Sequence, residues 1–227
     1  MFSKKLQRFV TITAILVLTS AIACRQAQAG AASPFPAPTV DEPQAKVSGQ
    51  ETAVLSGGCF WGVQAVFEHV KGVISATSGY TGGAASTAHY ELVSEGNTGH
   101  AESVRVVYDP SKITYGELLK IFFSVAHNPT EVNRQGPDEG TQYRSMISYA
   151  NAEQKKIDEA YIAQLTKAHV FSKPIATQIV PLKGFYPAEA YHQDYAARHP
   201  DDPYIFFNDA PKVAHLKKQF PGLYVEK

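Results

Sequence analysis

The feature that most constrains the fold is the order of the hydrophobic patterns between residues 51 and 150. β-branched or alternating segments predict strands, whereas apolar residues at i, i+3, i+4 and i+7 predict helices. The predicted elements follow one another as strand 51–56, helix 62–70, strand 73–80, strand 103–108, helix 114–127 and strand 144–149. This β-α-β-β-α-β order is typical of the ferredoxin-like, split βαβ arrangement. We therefore predict a two-layer α+β domain with helices on one face of the sheet.

The rest of the chain extends this domain to residue 227. A third helix is predicted at 151–168 and a fifth strand at 177–182, followed by a C-terminal loop region with short helical pieces at 188–197 and 212–219. Two long loops, 81–100 and 129–142, interrupt the core pattern. Loops of this length inside a compact domain are usually functional, so we expect site residues in both.

The N-terminus has the pattern of an export signal. Three basic side chains among the first eight residues precede fifteen uncharged residues, 9–23. A basic head and a short apolar core are typical of a secretory signal peptide, and the apolar core is shorter than the ~20 residues of a membrane-spanning helix. We therefore predict that residues 1–23 are a signal peptide and that the mature protein is extracytoplasmic, in the periplasm or cell envelope. The alternative is an uncleaved buried helix.

Two cleavage sites fit this signal. Ala21–Cys24 resembles a bacterial lipoprotein box, in which cleavage precedes Cys24 and a lipid is added to it, anchoring the protein to a membrane. Ala27–Ala29 matches the small-x-small pattern of ordinary signal peptidase, with cleavage before Gly30. Residues 24–50 are rich in Ala, Pro and Ser without periodicity, which predicts a flexible tether ahead of a catalytic domain at 51–227.

Charge and cysteine counts exclude several classes of protein. The chain has 21 basic and 21 acidic side chains, and this balance argues against a nucleic-acid-binding protein. Removing residues 1–23 leaves 18 basic and 21 acidic groups, a net charge of −3, and cleavage before Gly30 gives −4. Two cysteines cannot form a four-cysteine zinc site, and the eight histidines show no HxxxH or HExxH spacing. We therefore predict no metal and no cofactor.

Cys59 is the candidate reactive group. It directly follows a predicted strand and precedes a helix, and the free N–H groups and dipole of a helix N-terminus favour a thiolate. The position therefore predicts a lowered thiol pKa; the alternative is a small buried core residue. Gly62 stands where a CxxC redox pair would have its second cysteine, which excludes a thioredoxin-like motif. Trp61, the single tryptophan, predicts either a wall for a small apolar group or ordinary core packing.

The residues around Cys59 also carry a resemblance. Gly58–Gly62 (GCFWG) resembles the signature of peptide-methionine (S)-sulfoxide reductases, the MsrA family. Further matching segments follow in the same order at 79–83, 96–102, 108–110, 129–130, 135–145 and 191–195. The resemblance covers roughly residues 52–200. It implies reduction of methionine S-sulfoxide, free or in proteins, as repair of oxidative damage; the preference for the S epimer comes from the resemblance alone.

The resemblance assigns the two reacting groups. A sulfoxide is polarised S⁺–O⁻, so a nucleophile must attack sulfur while an acid protonates oxygen. It implies that the Cys59 thiolate attacks and that Glu102 provides the proton. Glu102 must then be protonated near neutral pH, which burial in an apolar pocket achieves by raising its pKa.

Five further residues match the family's site. Tyr90 and Tyr143 are implied to donate their hydroxyl groups to the sulfoxide oxygen, a preorganised electrostatic stabilisation. Asp138 is implied to orient the site by hydrogen bonding. Phe60 and Trp61 are implied to form the pocket for the substrate's methyl group.

The chain departs from many family members in its cysteines. Those members carry one or two further cysteines near the C-terminus, whereas residues 60–227 contain none. The Cys59 sulfenic acid is therefore expected to be reduced by an external thiol: a thioredoxin-like domain, a glutaredoxin or a small thiol. We expect no internal disulfide relay, and a monomer.

Two other functions remain as alternatives. Cys59 with one of the histidines could form a Cys–His hydrolase. The aromatic residues could instead line a cleft of a non-enzymatic, lipid-anchored module that binds methionine-containing partners.

Overall fold

The computed structural model describes residues 35–227. The predicted signal peptide, both cleavage sites and the proposed lipidation site Cys24 lie outside the described residues. The strands are β1 (Glu51–Gly57), β2 (Val73–Thr81), β3 (Ala101–Tyr108), β4 (Arg134–Gln135), β5 (Asp138–Glu139), β6 (Ser145–Tyr149), β7 (Gln178–Pro181) and β8 (Tyr186–Pro187). The α-helices are α1 (Phe60–Glu68), α2 (Tyr90–Val93), α3 (Tyr115–Ile121), α4 (Ala152–Lys167), α5 (Tyr195–Arg198) and α6 (Ala210–Gln219). Short 3₁₀ turns lie at Ala85–Thr87, Thr141–Tyr143 and Ala190–His192, and π-helical turns at Phe122–Ala126 and Ile205–Asp209.

A six-stranded sheet with the order β7-β6-β1-β3-β2-β8 forms the centre of the domain. All its pairs are antiparallel except β6 with β7. The inner four strands, β6-β1-β3-β2, together with α1 and α3 have the split βαβ arrangement. The predicted α+β, ferredoxin-like fold is therefore confirmed.

The register of the central strands positions the site. β1 is buried from Ala53 onward and pairs with β3, with Leu55 opposite Val104. Because the two strands are antiparallel, the end of β1 lies beside the start of β3. Residues just after β1 and residues at the beginning of β3 therefore meet at one edge of the sheet.

A capping box begins α3. The Glu117 N–H donates to Thr114 Oγ1 at 3.2 Å, and the Thr114 N–H donates to Glu117 Oε2 at 2.9 Å. Two of the free N–H groups at this helix start are thus satisfied. The helix continues as the π-helical turn Phe122–Ala126 and ends before Asn128.

Residues 35–50 differ from the prediction of a flexible tether. They form no helix or strand, yet they are hydrogen-bonded along the domain surface. The Tyr161 hydroxyl donates to the Pro36 carbonyl at 2.7 Å, and the Ala45 N–H donates to the Pro110 carbonyl at 3.0 Å. Residues 35–50 of the predicted tether 24–50 are therefore bound to the domain surface, and the prediction of a flexible segment does not hold for them.

The strongest attachment of this segment is at the start of α3. Asp41 Oδ1 accepts from the Gly116 N–H at 2.9 Å, and its other oxygen accepts from the Thr114 hydroxyl at 2.5 Å. Helix N-termini leave backbone donors free and favour negative charge. Asp41 therefore adds to the capping of α3, which explains why a proline-rich segment without periodicity lies in place.

The two long loops contain more structure than their sequences indicated. The segment 81–100 contains α2, and the segment 129–142 contains the β4–β5 hairpin. Within residues 35–227, no helix is both long and apolar enough to cross a membrane.

Candidate active site

Cys59 lies at the N-cap of α1, immediately after β1, and is 8% exposed. The turn between the two elements has Gly58 at φ +88°, a conformation that favours glycine. A Cβ on Gly58 would also lie 2.5 Å from the Cβ of Gln135. Glycine at this position is therefore required to bring the thiol to the edge of the sheet.

The environment of the thiol raises its pKa. Burial is the largest cause, and the charges of Glu102 and Asp209 add to it; Lys212 and a hydrogen bond from the Trp61 N–H act in the opposite direction. The predicted lowering of the Cys59 pKa by the helix N-terminus is therefore wrong. The loss of solvation outweighs the helix donors.

Glu102 lies beside Cys59 at the start of β3. It is 3% exposed, and its Oε2 accepts a hydrogen bond from the Phe60 N–H at 3.0 Å. The pKa of Glu102 is raised to about 8: burial is the largest cause, the Phe60 N–H opposes it, and Asp138 and Asp209 add to the rise. The carboxyl is consequently protonated at neutral pH, as its proposed role as an acid requires.

Aromatic rings form the apolar side of the site. Phe60 is 1% exposed, and its ring centroid lies 5.0 Å from that of His192 and 5.8 Å from that of Tyr80. The Trp61 indole stacks on Tyr195 at 3.9 Å, and its Nε1–H donates to His192 Nδ1 at 3.2 Å. Phe60 and Trp61 are thus fixed as neighbouring apolar surfaces next to the thiol.

Of the two predicted hydroxyl donors, one lies in the first long loop and the other directly follows the second. Tyr90 begins α2, with its ring centroid 4.4 Å from that of His192, and Tyr143 ends the 3₁₀ turn after β5. Burial, followed by the charge of Glu102, raises the pKa of both phenols. Both hydroxyls therefore keep their protons and remain hydrogen-bond donors.

Asp138 belongs to the same site through a small cavity. Its carboxylate accepts a hydrogen bond from the Tyr204 hydroxyl, and burial raises its pKa. The cavity has a volume of about 80 Å³ and is lined by Cys59, Gln135, Gly136, Pro137, Asp138, Tyr204, Asn208 and Lys212. The structure thus places the six other predicted catalytic and substrate-binding residues near Cys59, whereas the predicted lipidation site Cys24 lies outside the described residues.

The C-terminal segment adds groups that the sequence analysis did not single out. They lie between residues 190 and 219. His192 and Tyr195 contact Trp61, Tyr204 and Lys212 line the cavity, and Asp209 pairs with Lys212. The matching segment 191–195 gave a signal for the first two, although no role followed from it. No sequence signal indicated the other three.

The histidines do not complete a Cys–His pair. Burial lowers the pKa of His192, and its Nδ1 accepts from Trp61. Burial also lowers the pKa of His127 to about 3, and its Nε2 is 2.7 Å from Ser145 Oγ. The described part of the chain shows no hydrogen bond between a histidine ring and the Cys59 thiol, which leaves the hydrolase alternative without support.

Comparisons with known proteins agree with this geometry. The family model described as peptide methionine sulfoxide reductase matches residues 51–223. "Peptide methionine sulfoxide reductase MsrA 2" of Mesorhizobium japonicum is 62% identical over 179 residues, covering 79% of this chain and 92% of the relative. The protein of the same name from Synechocystis is 49% identical over 187 residues, covering 82% and 87%.

Solved structures give the same result. Methionine sulfoxide reductase A of Corynebacterium diphtheriae superposes with a TM-score of 0.59 at 34% identity, covering 73% of this chain and 86% of that one. Mxr1 of Saccharomyces cerevisiae in its reduced form also gives a TM-score of 0.59 at 34% identity, covering 68% and 91%. The chain belongs to the peptide methionine sulfoxide reductase family and is an oxidoreductase that acts on methionine sulfoxide.

Proposed function

We propose that Cys59 is the nucleophile and Glu102 the acid in the reduction of methionine S-sulfoxide. The observation that carries this assignment is the position of Glu102, a 3% exposed carboxyl that accepts from the Phe60 N–H beside the single described cysteine; burial there raises its pKa to about 8. An acid with a pKa near the working pH is suited to transfer a proton in the transition state.

The reaction follows from these two groups. The Cys59 thiolate attacks the sulfoxide sulfur while Glu102 gives its proton to the oxygen. The attack forms a bond between the two sulfur atoms. This bond and the substrate's S–O bond then break as the protonated oxygen transfers to the Cys59 sulfur, so that Cys59 becomes a sulfenic acid and the substrate is released as methionine. The enzyme sulfur is oxidised by two electrons and the substrate sulfur is reduced by two.

The remaining residues orient the substrate. Tyr90 and Tyr143 donate hydrogen bonds to the developing O–H, since both phenols stay protonated, and such preorganised donors stabilise the transition state. The methyl group lies against Phe60 and Trp61. Asp138, held by Tyr204, fixes the loop that carries it.

An external thiol regenerates the enzyme. Residues 60–227 contain no cysteine, so no second thiol of this domain can attack the sulfenic acid. One external thiol forms a mixed disulfide with Cys59 and releases water; a second thiol then frees Cys59 and leaves as a disulfide. A thioredoxin-like domain, a glutaredoxin or a small thiol each fits this chemistry, and a monomer suffices for it.

Replacement of Cys59 by Ser tests the assignment. We expect the rate of reduction to fall by more than about 10³-fold, whereas Cys24→Ser, the matched control, retains activity. After one turnover without reductant, Cys59 should react with a sulfenate probe in the wild type and in Cys24→Ser. Full reductase activity of Cys59→Ser contradicts the assignment of the nucleophile, and a Cys24–Cys59 disulfide contradicts reduction by an external thiol. If the protein keeps its function without the Cys59 thiol, the alternative of a non-enzymatic binding module is favoured.

We also propose export and anchoring through Cys24. The support is the basic head and apolar segment 9–23, followed by the lipoprotein-like residues Ala21–Cys24. The protein should fractionate with membranes and carry a lipid mass at Cys24, and Cys24→Ser should release it. Full-length chain in the cytosol contradicts export, and a mature N-terminus at Gly30 contradicts the lipid.

A further inference from the structure

A second charged pair lies next to Cys59, in the C-terminal segment. Lys212 Nζ is 3.0 Å from Asp209 Oδ1. Asp209 is fully buried, and the Lys212 side chain is 22% exposed. Within residues 35–227, the other carboxylate oxygen of Asp209 has no hydrogen-bond partner. None of the reaction steps described above uses either residue.

The pair rests directly on the first turn of α1. A Cβ on Gly62 would lie 2.7 Å from Lys212 Nζ and would collide with the Asp209 carboxylate. Gly62 is in the helix whose N-cap is Cys59. The absence of a side chain at position 62 therefore allows a carboxylate and an ammonium group to approach the helix backbone three residues from the thiol.

Lys212 also reaches the cavity at Cys59. Of the residues that line this part of the described structure, Lys212 is the single cation. Several titratable groups from other elements face the same space. They are Glu102 from β3, Asp138 from β5, His127 after the π-helical turn, Tyr90 from the first long loop, Tyr143 directly after the second, and Tyr204 and Asp209 from the C-terminal segment.

We propose that Lys212, held by Asp209 against Gly62, is a positioning residue that stabilises the thiolate form of Cys59. This inference rests on the proposed role of Cys59 as the nucleophile. Burial and neighbouring carboxyl groups disfavour a negative charge on the sulfur, so the site needs a cation to form the attacking species. Ionisation releases the thiol proton to solvent, and the ammonium group faces the charge that remains.

The partner of Lys212 has the opposite effect. Asp209 is an acid near the same sulfur, and its charge disfavours the thiolate. It nevertheless holds the Lys212 ammonium group in place. Removing the cation and neutralising the acid should therefore shift the ionisation of Cys59 in opposite directions, which a general loss of packing would not produce.

The test measures alkylation of Cys59 by iodoacetamide as a function of pH in the full chain, with modification read on the Cys59 peptide by mass spectrometry. Alkylation needs neither sulfoxide nor reductant, so the result is independent of the proposed reaction. Lys212→Met should raise the midpoint by about one pH unit or more, and Asp209→Asn should lower it. Lys212→Arg should keep it near that of the wild type.

Lys217→Met is the matched control. It removes the same charge from the same helix, but Lys217 pairs with the exposed Glu226, so the midpoint should not move. Equal midpoints in Lys212→Met and Lys217→Met overturn the proposal, as do shifts of the same sign in Lys212→Met and Asp209→Asn. If Lys212→Met does not fold, as judged by circular dichroism, Lys212→Gln replaces it. Its alkylation midpoint should rise while that of Asp209→Asn falls, and shifts of the same sign overturn the proposal. Loss of reductase activity in Cys59→Ser tests the proposed function separately.

Discussion

The site around Cys59 has one wall made by the ends of the central strands, α1 and the β4–β5 hairpin, and another made by C-terminal residues between 190 and 219. In the first wall, Cys59 follows β1, Glu102 pairs with Tyr80 of β2, and the Phe60 N–H donates to the Glu102 carboxyl. In the second wall, side chains rest on the first: Tyr195 stacks on Trp61, and Tyr204 donates to Asp138. The reacting groups, Cys59 and Glu102, thus come from the first wall. The residues that shape the site and alter its charge come from the second wall, which is held by side-chain contacts.

Replacement of Glu102 by Gln tests the first wall and should have the largest effect of the substitutions that compare the two walls. The amide keeps the size of the side chain but has no proton to transfer, so sulfoxide reduction should slow by about 10²–10⁴-fold. The control is Glu91→Gln, an exposed residue next to Tyr90. Single-turnover release of methionine measures the step. Retention of more than a tenth of the activity would show that another group supplies the proton.

The pH dependence sharpens this prediction. Because the pKa of Glu102 is raised from 4.5 to about 8, the rate through this acid should fall as the pH rises through about 8. Between pH 4.5 and 8 the unfolded chain loses this proton and the folded one keeps it, so stability from this group decreases with increasing pH. In urea unfolding, the free energy of unfolding of Glu102→Gln should decrease less steeply with pH over this range than that of the wild type. The same pH dependence in both proteins contradicts the raised pKa.

Replacement of Gly62 by Ala breaks the contact between the two walls. The added methyl group collides with Asp209 and Lys212, and overpacking of this kind costs about 1–3 kcal/mol. We expect a lower urea midpoint and a smaller loss of activity than in Glu102→Gln. Gly222→Ala is the control, because a Cβ there meets no atom within 4 Å. Equal stability of the two variants would mean that the C-terminal wall is not packed on α1 in this way.

Replacement of Tyr204 by Phe alters only the second wall and should have the smallest effect. It removes the donor to Asp138, so the pKa of Asp138 should rise further, and activity should fall by up to about tenfold, the effect of one hydrogen bond. Tyr195→Phe removes a hydroxyl bonded to Asp202 but keeps the ring on Trp61, and it should stay near wild type. A larger loss in Tyr195→Phe would reverse this assignment.

The sequence patterns predicted the part of the first wall that the sheet and α1 form, but they did not indicate most residues of the second, C-terminal wall. Strands and helices with regular apolar spacing determine the ferredoxin-like core, and the end of β1 and the start of β3 then meet by topology. The roles of Glu102 and Tyr90 came only from the family resemblance, since a loop carboxylate and one of twelve tyrosines carry no signal of their own.

The C-terminal wall could not be predicted for a physical reason. Tyr204, Asp209 and Lys212 act through contacts with residues more than 60 positions earlier in the chain, and such contacts leave no local periodicity. The prediction of a lowered pKa for Cys59 was wrong for a related reason: the sequence indicates the helix N-terminus but not the burial around the thiol. The position of residues 35–50 likewise depends on a distant contact, the hydrogen bond from the Gly116 N–H at the start of α3 to Asp41.

The docking of residues 35–50 limits how far an anchored enzyme could work from a membrane. A chain spans at most about 3.3–3.6 Å per residue, so the eleven steps from Cys24 to Phe35 reach at most about 40 Å, whereas a free chain to residue 50 would reach about 90 Å. If Cys24 carries the proposed lipid, the attachment that begins at Phe35 would thus keep the start of the domain within about 40 Å of the bilayer.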